Sequence, residues 1–172
     1  MSVLFGELFE FGLVEAESDI EFALGPYHVL ARFRSGATSH VFLTERRSPL
    51  GPLGQAVVKF ASRKNQNYQE QRDLLVDEAR AMSRLNHANI VKLQDIVEGS
   101  DGTYVALEYV PGRDLREVLT YLYERHRKTP PQIAGYVVVE ILRALEHAHA
   151  AVDGVGKSLG IVHRDVNPSN VL

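Results

Sequence analysis

The stretch "IVHRDVNPSNVL", residues 161–172, sets a His-Arg-Asp triplet at 163–165 and an asparagine, Asn170, five residues beyond Asp165. A carboxylate and a side-chain amide thus share one short loop, where both can face a single reacting group. A lone triplet of this kind is a weak signal. Its meaning depends on what stands upstream and in what order.

Before the loop "DGVGKSLG" lies "TPPQIAGYVVVEILRALEHAHAAV", which reads as a long helix with Thr129 as N-cap and Pro130 in the first turn. Val137, Val138, Val139 and Ile141 make it apolar nearly all round, the pattern of a helix buried on several sides. A shorter helix is expected in "LREVLTYLYERH", set off by the break "PGRDL". Two strands precede it, near 90–97 and 103–109.

Further upstream, "YHVLARF" (27–33), "HVFLTERR" (40–47) and "QAVVKFAS" (55–62) are β-branched and aromatic runs separated by "RSGATS" and "SPLGPLG". The second separator is expected to be irregular because of its prolines. Three short strands with tight connections suggest an antiparallel meander. The element order is five strands with one helix inserted, followed mostly by helices.

The inserted helix is expected over Tyr68 to Leu85. Leu74, Leu75, Ala81, Met82 and Leu85 recur at helical spacing. At about 100° per residue from Leu74 they span roughly −20° to +100°, and Glu78 falls at about +40°, inside that arc. A carboxylate facing the protein body needs a cation or donors; alternatively it bends out to water. The candidate cation is Lys59, flanked by Val57, Val58 and Phe60 in its strand.

These segments together resemble the protein kinase family, in its bacterial eukaryotic-like serine/threonine branch, over about residues 27–172. "AVVKF" is similar to the family's V-A-I-K strand, "HANIVKL" to its H-P-N-I-V segment, "ALEYVPGRDL" to its hinge and "HRDVNPSN" to its catalytic loop. The resemblance implies an α+β fold. A complete N-lobe at about 27–107, with a five-stranded antiparallel sheet and one helix, would be joined by a hinge at 108–110 to a truncated helical C-lobe at 111–172. Residues 1–26 would be an N-terminal extension. The implied function is ATP-dependent phosphorylation of Ser/Thr on proteins, a transferase activity of signal transduction with ATP and Mg²⁺ as cofactors.

By the same resemblance, Asp165, Lys59 and Glu78 are the catalytic set. Lys59 would hold the α/β-phosphates with Glu78 as its ion-pair partner. Gly36 and Val41 would cover the nucleotide, and Leu107 would stand at the gatekeeper position. The Glu108–Val110 backbone would bind the adenine edge. Asn170 would supply an oxygen to Mg²⁺, a hard cation that prefers oxygen ligands. Asp165 would accept or orient the substrate hydroxyl's proton.

Three departures stand out. The glycine-rich loop keeps only Gly36 and Val41, with Arg34 and Ser39 in place of the outer glycines. Asn167 occupies the position where serine/threonine members carry a lysine. No D-F-G segment follows Asn170 in the sequence. The expectation is an N-terminal fragment of a longer kinase, inactive alone. The contrasting reading is a non-catalytic, pseudokinase-like module that binds nucleotide or protein.

Composition constrains the rest. A chain of 172 residues without cysteine suits one domain with a real core and fits a reducing compartment. Together with the resemblance, the expected location is the cytoplasm, or the cytoplasmic side of a membrane if a further C-terminal part carries a span. No stretch approaches a membrane span. Residues 1–31 hold six acids and no Lys or Arg, so the 19 basic residues face 16 acids in the remainder, a net +3. That balance argues against a nucleic-acid footprint. Leu4, Phe5, Leu8, Phe9 and Phe11 make the acidic leader apolar enough for part of it to dock. "GKS" at 156–158 lacks the first glycine of a phosphate-binding loop, Ala151 standing in its place. His147 and His149, two apart, fall on different helix faces and are expected to be solvated.

Overall fold

The computed structural model describes residues 23–32 and 40–172. Gly36, Arg34, Ser39 and the apolar residues of the leader lie outside the described residues. Those described divide into two compact units. One runs through Arg80 and takes up again at Leu93–Tyr109; the other comprises Ala81–Lys92 and Val110–Leu172.

The first unit is built on a sheet with the strands β1 (Ala23–Leu24), β2 (Tyr27–Arg32), β3 (His40–Ser48), β4 (Gly51–Ser62), β5 (Leu93–Glu98) and β6 (Gly102–Glu108). The spatial order is β1-β2-β3-β4-β6-β5, and every pairing is antiparallel. To the five expected strands the structure adds the two-residue β1, from the segment assigned to the extension. Leu24 of that strand is buried in the sheet's core with Tyr27, Phe42, Val58, Phe60 and Tyr104.

Strand β4 shows why both faces of this sheet are covered. Residues 56–61 are buried without alternation, the pattern of a strand packed on both sides. Val58 and Phe60 face the aromatic core, where Tyr27 and Tyr104 meet edge-on at 5.9 Å. Val57, Lys59 and Ala61 face the other way, opposite Leu107, Val105 and Thr103.

The irregular segment expected at 48–54 is a correction. β4 begins at Gly51, and the β3–β4 ladder runs out to Ser48↔Gly51. Pro52 is tolerated because β6 pairs only with Ala56–Ser62, which leaves one edge of the hairpin arm free. A register shift between Arg46 and Arg47 and positive φ at Gly51 and Gly54 absorb the distortion. At the other end, Gly102 (φ 154°) closes the β5–β6 turn. A Cβ there would lie 2.0 Å from the Ala61 carbonyl oxygen.

Helix α1 (Tyr68–Met82) follows β4. Its buried positions are Leu75, Ala79 and Met82, whereas Leu74 is exposed. The arc drawn from Leu74 is therefore displaced: its centre lies nearer Leu75 and Met82, and Glu78 sits on its flank. The helix stops before Leu85, where Arg84 and Leu85 donate to carbonyls three residues back. Ile90 and Val91, expected in a strand, belong to a buried turn; the Ile90 N–H donates to the His87 carbonyl, and β5 starts only at Leu93.

The second unit contains α2 (Leu115–Glu124), α3 (Pro131–His149) and the short 3₁₀ turn η1 (Pro168–Asn170). Asp114 caps α2, accepting the Glu117 N–H at 2.7 Å. Thr129 is not the cap of α3. Pro130 precedes Pro131 and is held in an extended conformation (ψ 133°), so the helix cannot begin earlier. Only Glu140, Ala144 and Ala148 of α3 are buried. Val138, Val139 and Leu142 are exposed among the described residues, so the apolar faces read from the sequence are left uncovered in this chain.

Residues Ala81–Lys92, assigned by sequence to the first lobe, cluster with this unit. Asn89 explains why: its side-chain amide donates to the Glu140 carboxylate at 2.6 Å and to the Glu140 carbonyl at 3.2 Å. The neighbouring Asn86 N–H donates to His147 Nε2 at 3.3 Å, and the His87 and His147 rings lie 5.3 Å apart.

Candidate functional site

In the first unit, the site grows from the sheet face opposite the aromatic core. Lys59 is buried, and its Nζ donates to both Oε1 and Oε2 of Glu78, each at 2.9 Å. Strand alternation sends Lys59 to this face because Val58 and Phe60 take the other. Val41 is the direct cross-strand neighbour of Lys59 on β3 and is itself buried. An apolar wall thus stands beside a cation whose direction is fixed by a bidentate carboxylate.

The same helix is anchored at its start. The Tyr68 hydroxyl lies 3.0 Å from Thr103 Oγ1. Arg72 reaches Glu98 through Nη2 at 3.0 Å and Nε at 3.4 Å, and Arg63 adds a contact at 3.4 Å. Hydrogen bonds from Arg72, then its charge and that of Arg63, hold the Glu98 carboxyl below the usual range. These contacts fix the N-terminal half of α1 to β5 and β6, on the turns preceding Glu78.

β3 begins at His40, whose Nδ1 lies 2.9 Å from Arg32 Nη2 at the end of β2. Burial first, and the Arg32 charge second, push the His40 pKa below its ordinary value. At the far end of the sheet, Glu108 closes β6 opposite Ala56. Leu107 is buried one residue earlier. The boundary between the two units falls between Tyr109 and Val110.

In the second unit the 163–170 loop is held by its own polar groups. His163 is buried, and its Nδ1 accepts the Asp165 N–H at 3.2 Å. Arg164 between them has φ 64°, a left-handed conformation that is costly for a side chain with a Cβ. Asn170 Nδ2 donates to the Asp165 carbonyl at 2.8 Å and to its Oδ2 at 2.9 Å. Asn167 Nδ2 donates to Asp165 Oδ1 at 2.8 Å, while Asn167 Oδ1 caps η1 by accepting the Ser169 N–H at 2.9 Å. The loop is tied to α2 by the Leu115 N–H donating to the Val171 carbonyl at 2.8 Å.

Lys59, Glu78 and Val41 are thus brought together in one unit, and Asp165 and Asn170 in the other. Gly36 lies outside the described residues. No local pattern signals the Asn89–Glu140 contact, because its partners stand 51 residues apart. The Asn89 amide, with Arg143 nearby, holds the Glu140 carboxyl below the usual carboxylate range despite burial. His147 accepts the Asn86 N–H and packs on His87 while staying partly exposed, and His149 is exposed. The "GKS" segment closes a small hairpin: Asp153 Oδ1 accepts the N–H groups of Val155 and Lys157, and Val152 pairs with Ser158.

Comparison with known proteins gives the geometry a context. The chain is 28% identical over 147 residues to the tyrosine-protein kinase MasK of Myxococcus xanthus, covering 86% of this chain and 23% of that protein. It is 33% identical over 137 residues to the serine/threonine-protein kinase PkaB of Streptomyces coelicolor, covering 80% and 29%. It is 29% identical over 148 residues to the serine/threonine-protein kinase PrkC of Bacillus subtilis, covering 86% and 20%. The chain therefore spans about a quarter of the length of these curated relatives. The crystal structure of the Mycobacterium tuberculosis PknI kinase domain superposes with a TM-score of 0.62 at 26% identity, over 88% of this chain and 57% of that one. Residues 27–172 match the protein kinase domain family, and the chain belongs to that family.

Proposed function

We propose that this chain carries the nucleotide-binding and catalytic-loop portion of a serine/threonine protein kinase. The observation that carries the reading is the Lys59–Glu78 pair. A buried ammonium aimed by two carboxylate contacts at 2.9 Å is suited to holding phosphate charge in place. Val41 supplies an apolar neighbour for a base, and the backbone at Glu108–Val110 supplies hydrogen-bonding groups for its edge.

Asp165 is the group suited to accept a proton from a substrate hydroxyl at its carboxylate. Asn170 spends its amide hydrogens on Asp165, and these bonds leave its Oδ1 as a neutral oxygen donor. That donor suits Mg²⁺, which supplies charge neutralisation between phosphates when bound. The remaining work is positioning, since phosphoryl transfer asks for alignment and charge stabilisation more than covalent participation. The parent activity then belongs to the cytoplasm or a membrane's cytoplasmic side. Among the described residues no helix is long and apolar enough to cross a membrane.

The test uses radiolabelled ATP with Mg²⁺ and a protein substrate. It compares the longest reading frame that contains this chain with the 172-residue chain alone. Phosphoserine and phosphothreonine are the expected products of the former, abolished by Lys59→Met. The shorter chain is expected to bind nucleotide weakly without appreciable turnover. Phosphotyrosine as the main product would move the assignment toward the activity named for MasK. Nucleotide binding without any transfer, unaffected by Asp165→Asn, would favour the pseudokinase-like module.

A further inference from the structure

Asn167 stands where the resemblance calls for a lysine, and both ends of its side chain are engaged. Its Oδ1 accepts the Ser169 N–H at 2.9 Å and its Nδ2 donates to Asp165 Oδ1 at 2.8 Å. Chemistry fixes this orientation. With the amide reversed, its hydrogens would meet an N–H and its oxygen would meet a carboxylate oxygen. The backbone of Asn167 is extended (φ −144°, ψ 164°), as an N-cap requires, so capping η1 and reaching Asp165 are parts of one conformation.

Asn170 holds the other side. Its Nδ2 donates to Asp165 Oδ2 at 2.9 Å and to the Asp165 carbonyl at 2.8 Å. Each oxygen of the carboxylate thus carries one amide donor, from residues two and five positions ahead. A donor on one oxygen alone would leave the carboxylate free to pivot about that bond. Donors on both fix its plane.

We infer that Asn167 is a positioning residue for Asp165, setting the plane of its carboxylate with a neutral amide. The inference rests on the kinase reading of this loop. The charge stabilisation that a lysine at this position would bring is absent, so the contribution of Asn167 is orientation. Misplacing a catalytic group by a fraction of its reach lowers turnover without weakening nucleotide binding. A loss of this kind therefore appears in kcat and leaves KM for ATP unchanged.

Three variants in the longest reading frame that contains this chain separate orientation from structure. Asn167→Ser and Asn167→Asp both keep an oxygen for the Ser169 N–H, so the cap should persist. Tm should hold in the Ser variant and fall in the Asp variant, whose second carboxylate oxygen meets Asp165 Oδ1. Both lose the amide donor to Asp165, and kcat is expected to fall about 30- to 100-fold with KM for ATP within about twofold of wild type. Asn167→Lys restores a donor but cannot accept the Ser169 N–H. It should lower Tm while keeping kcat within about fivefold of wild type. Wild-type turnover in both the Ser and Asp variants, or kcat losses that follow Tm across all three, would overturn the inference. A wild-type protein without transfer, matched by Asp165→Asn, would instead sink the kinase reading. In that event the contact itself is tested in the 172-residue chain by the Asn167 side-chain amide resonance. Asp165→Ala should shift it, and an unmoved resonance overturns the inference.

Discussion

Lys59 and Glu78 are 19 residues apart in the chain, yet the lysine Nζ lies 2.9 Å from each oxygen of the glutamate. The lysine side chain is 6% exposed and that of the glutamate 24%. The pair is therefore neither a solvated surface bridge nor a fully buried one. Its strength comes from two-point geometry and partial exclusion of water.

Replacing Glu78 with Ala removes two carboxylate contacts from an ammonium set in the sheet. The expected cost is about 2 kcal/mol, below the range for fully buried pairs because the glutamate keeps some solvent contact. Urea denaturation of the 172-residue chain measures it. Affinity for an ATP analogue should fall about tenfold as well, since the lysine loses its fixed direction. A variant with unchanged stability and unchanged nucleotide affinity would show that the pair neither supports the sheet nor aims Lys59.

The anchoring of α1 by Arg72 is a separate matter from that pair. Arg72 holds Glu98 with two contacts, and the Glu98 carboxyl is depressed first by those hydrogen bonds and then by charge. A depressed carboxyl contributes stability that is present above its unfolded pKa and lost as pH falls through the folded value. Both side chains are accessible, so the effect on global stability is small. Hydrogen exchange in the first two turns of α1 is the sensitive measurement. Arg72→Ala should speed it, about 0.5 M salt should act in the same direction, and lowering the pH below about 4 should do so too. Exchange that ignores all three would mean that Tyr68 and Thr103 hold the helix start by themselves.

His40 gives a pH dependence of the same direction at higher pH. Its pKa is lowered by burial and by Arg32, so the folded chain favours the neutral ring. The stability this contributes is present above the unfolded value of about 6.5 and is lost as pH falls through the lower folded value. Protonation also removes the acceptor that Arg32 Nη2 meets at 2.9 Å. Between about pH 7.5 and 5.5, Tm of the wild type should therefore fall more steeply than that of His40→Gln. Parallel curves for the two proteins would refute the assignment.

Much of the first unit is legible because its signals are local. Val57, Val58, Lys59 and Phe60 announce a strand, and the placement of Glu78 inside an apolar arc announces a carboxylate in need of a cation. What escapes depends on distant partners or on the chain's edges. Leu74 reads as a core residue because periodicity does not say where the arc is centred. Ile90 and Val91 read as a strand start because nothing nearby shows that Asn89 is tied to Glu140. Pro52 reads as a strand breaker because the free edge of β4 is a property of the sheet. In the catalytic loop the residue types are readable. The two amides on the Asp165 carboxylate are not, because side-chain direction there follows from the turn at η1.

Gly102 tests how tightly the β5–β6 turn is built. Its φ of 154° disfavours any residue with a Cβ, and an added Cβ would meet the Ala61 carbonyl oxygen at 2.0 Å and Phe60 Cε2 at 2.8 Å. The first obstacle is backbone of the central strand, which cannot yield without disturbing its pairing with β6. Gly102→Ala is therefore expected to cost about 2–4 kcal/mol, more than an exposed turn glycine. Gly112, also at positive φ (150°), has open space where a Cβ would stand and serves as the comparison. Strain alone should cost Gly112→Ala about 1 kcal/mol. Equal losses for the two substitutions would show that φ, and not the contact with β4, sets the penalty.

The last prediction concerns the outer surface of α3. The helix buries only the line Glu140, Ala144 and Ala148. Leu142 is 58% exposed, Val138 53% and Val139 45%, and these three lie on the opposite side. Single exposed apolar residues are ordinary, but a contiguous strip on one helix promotes association. The 172-residue chain should therefore self-associate at concentrations of tens of micromolar, as read by sedimentation velocity. The double variant Val139→Glu, Leu142→Glu should shift it toward monomer. Because both side chains are exposed, Tm should change by no more than about 2 °C. A wild-type chain that stays monomeric at high concentration, or a double variant that associates equally, would show that this strip makes no contact between copies.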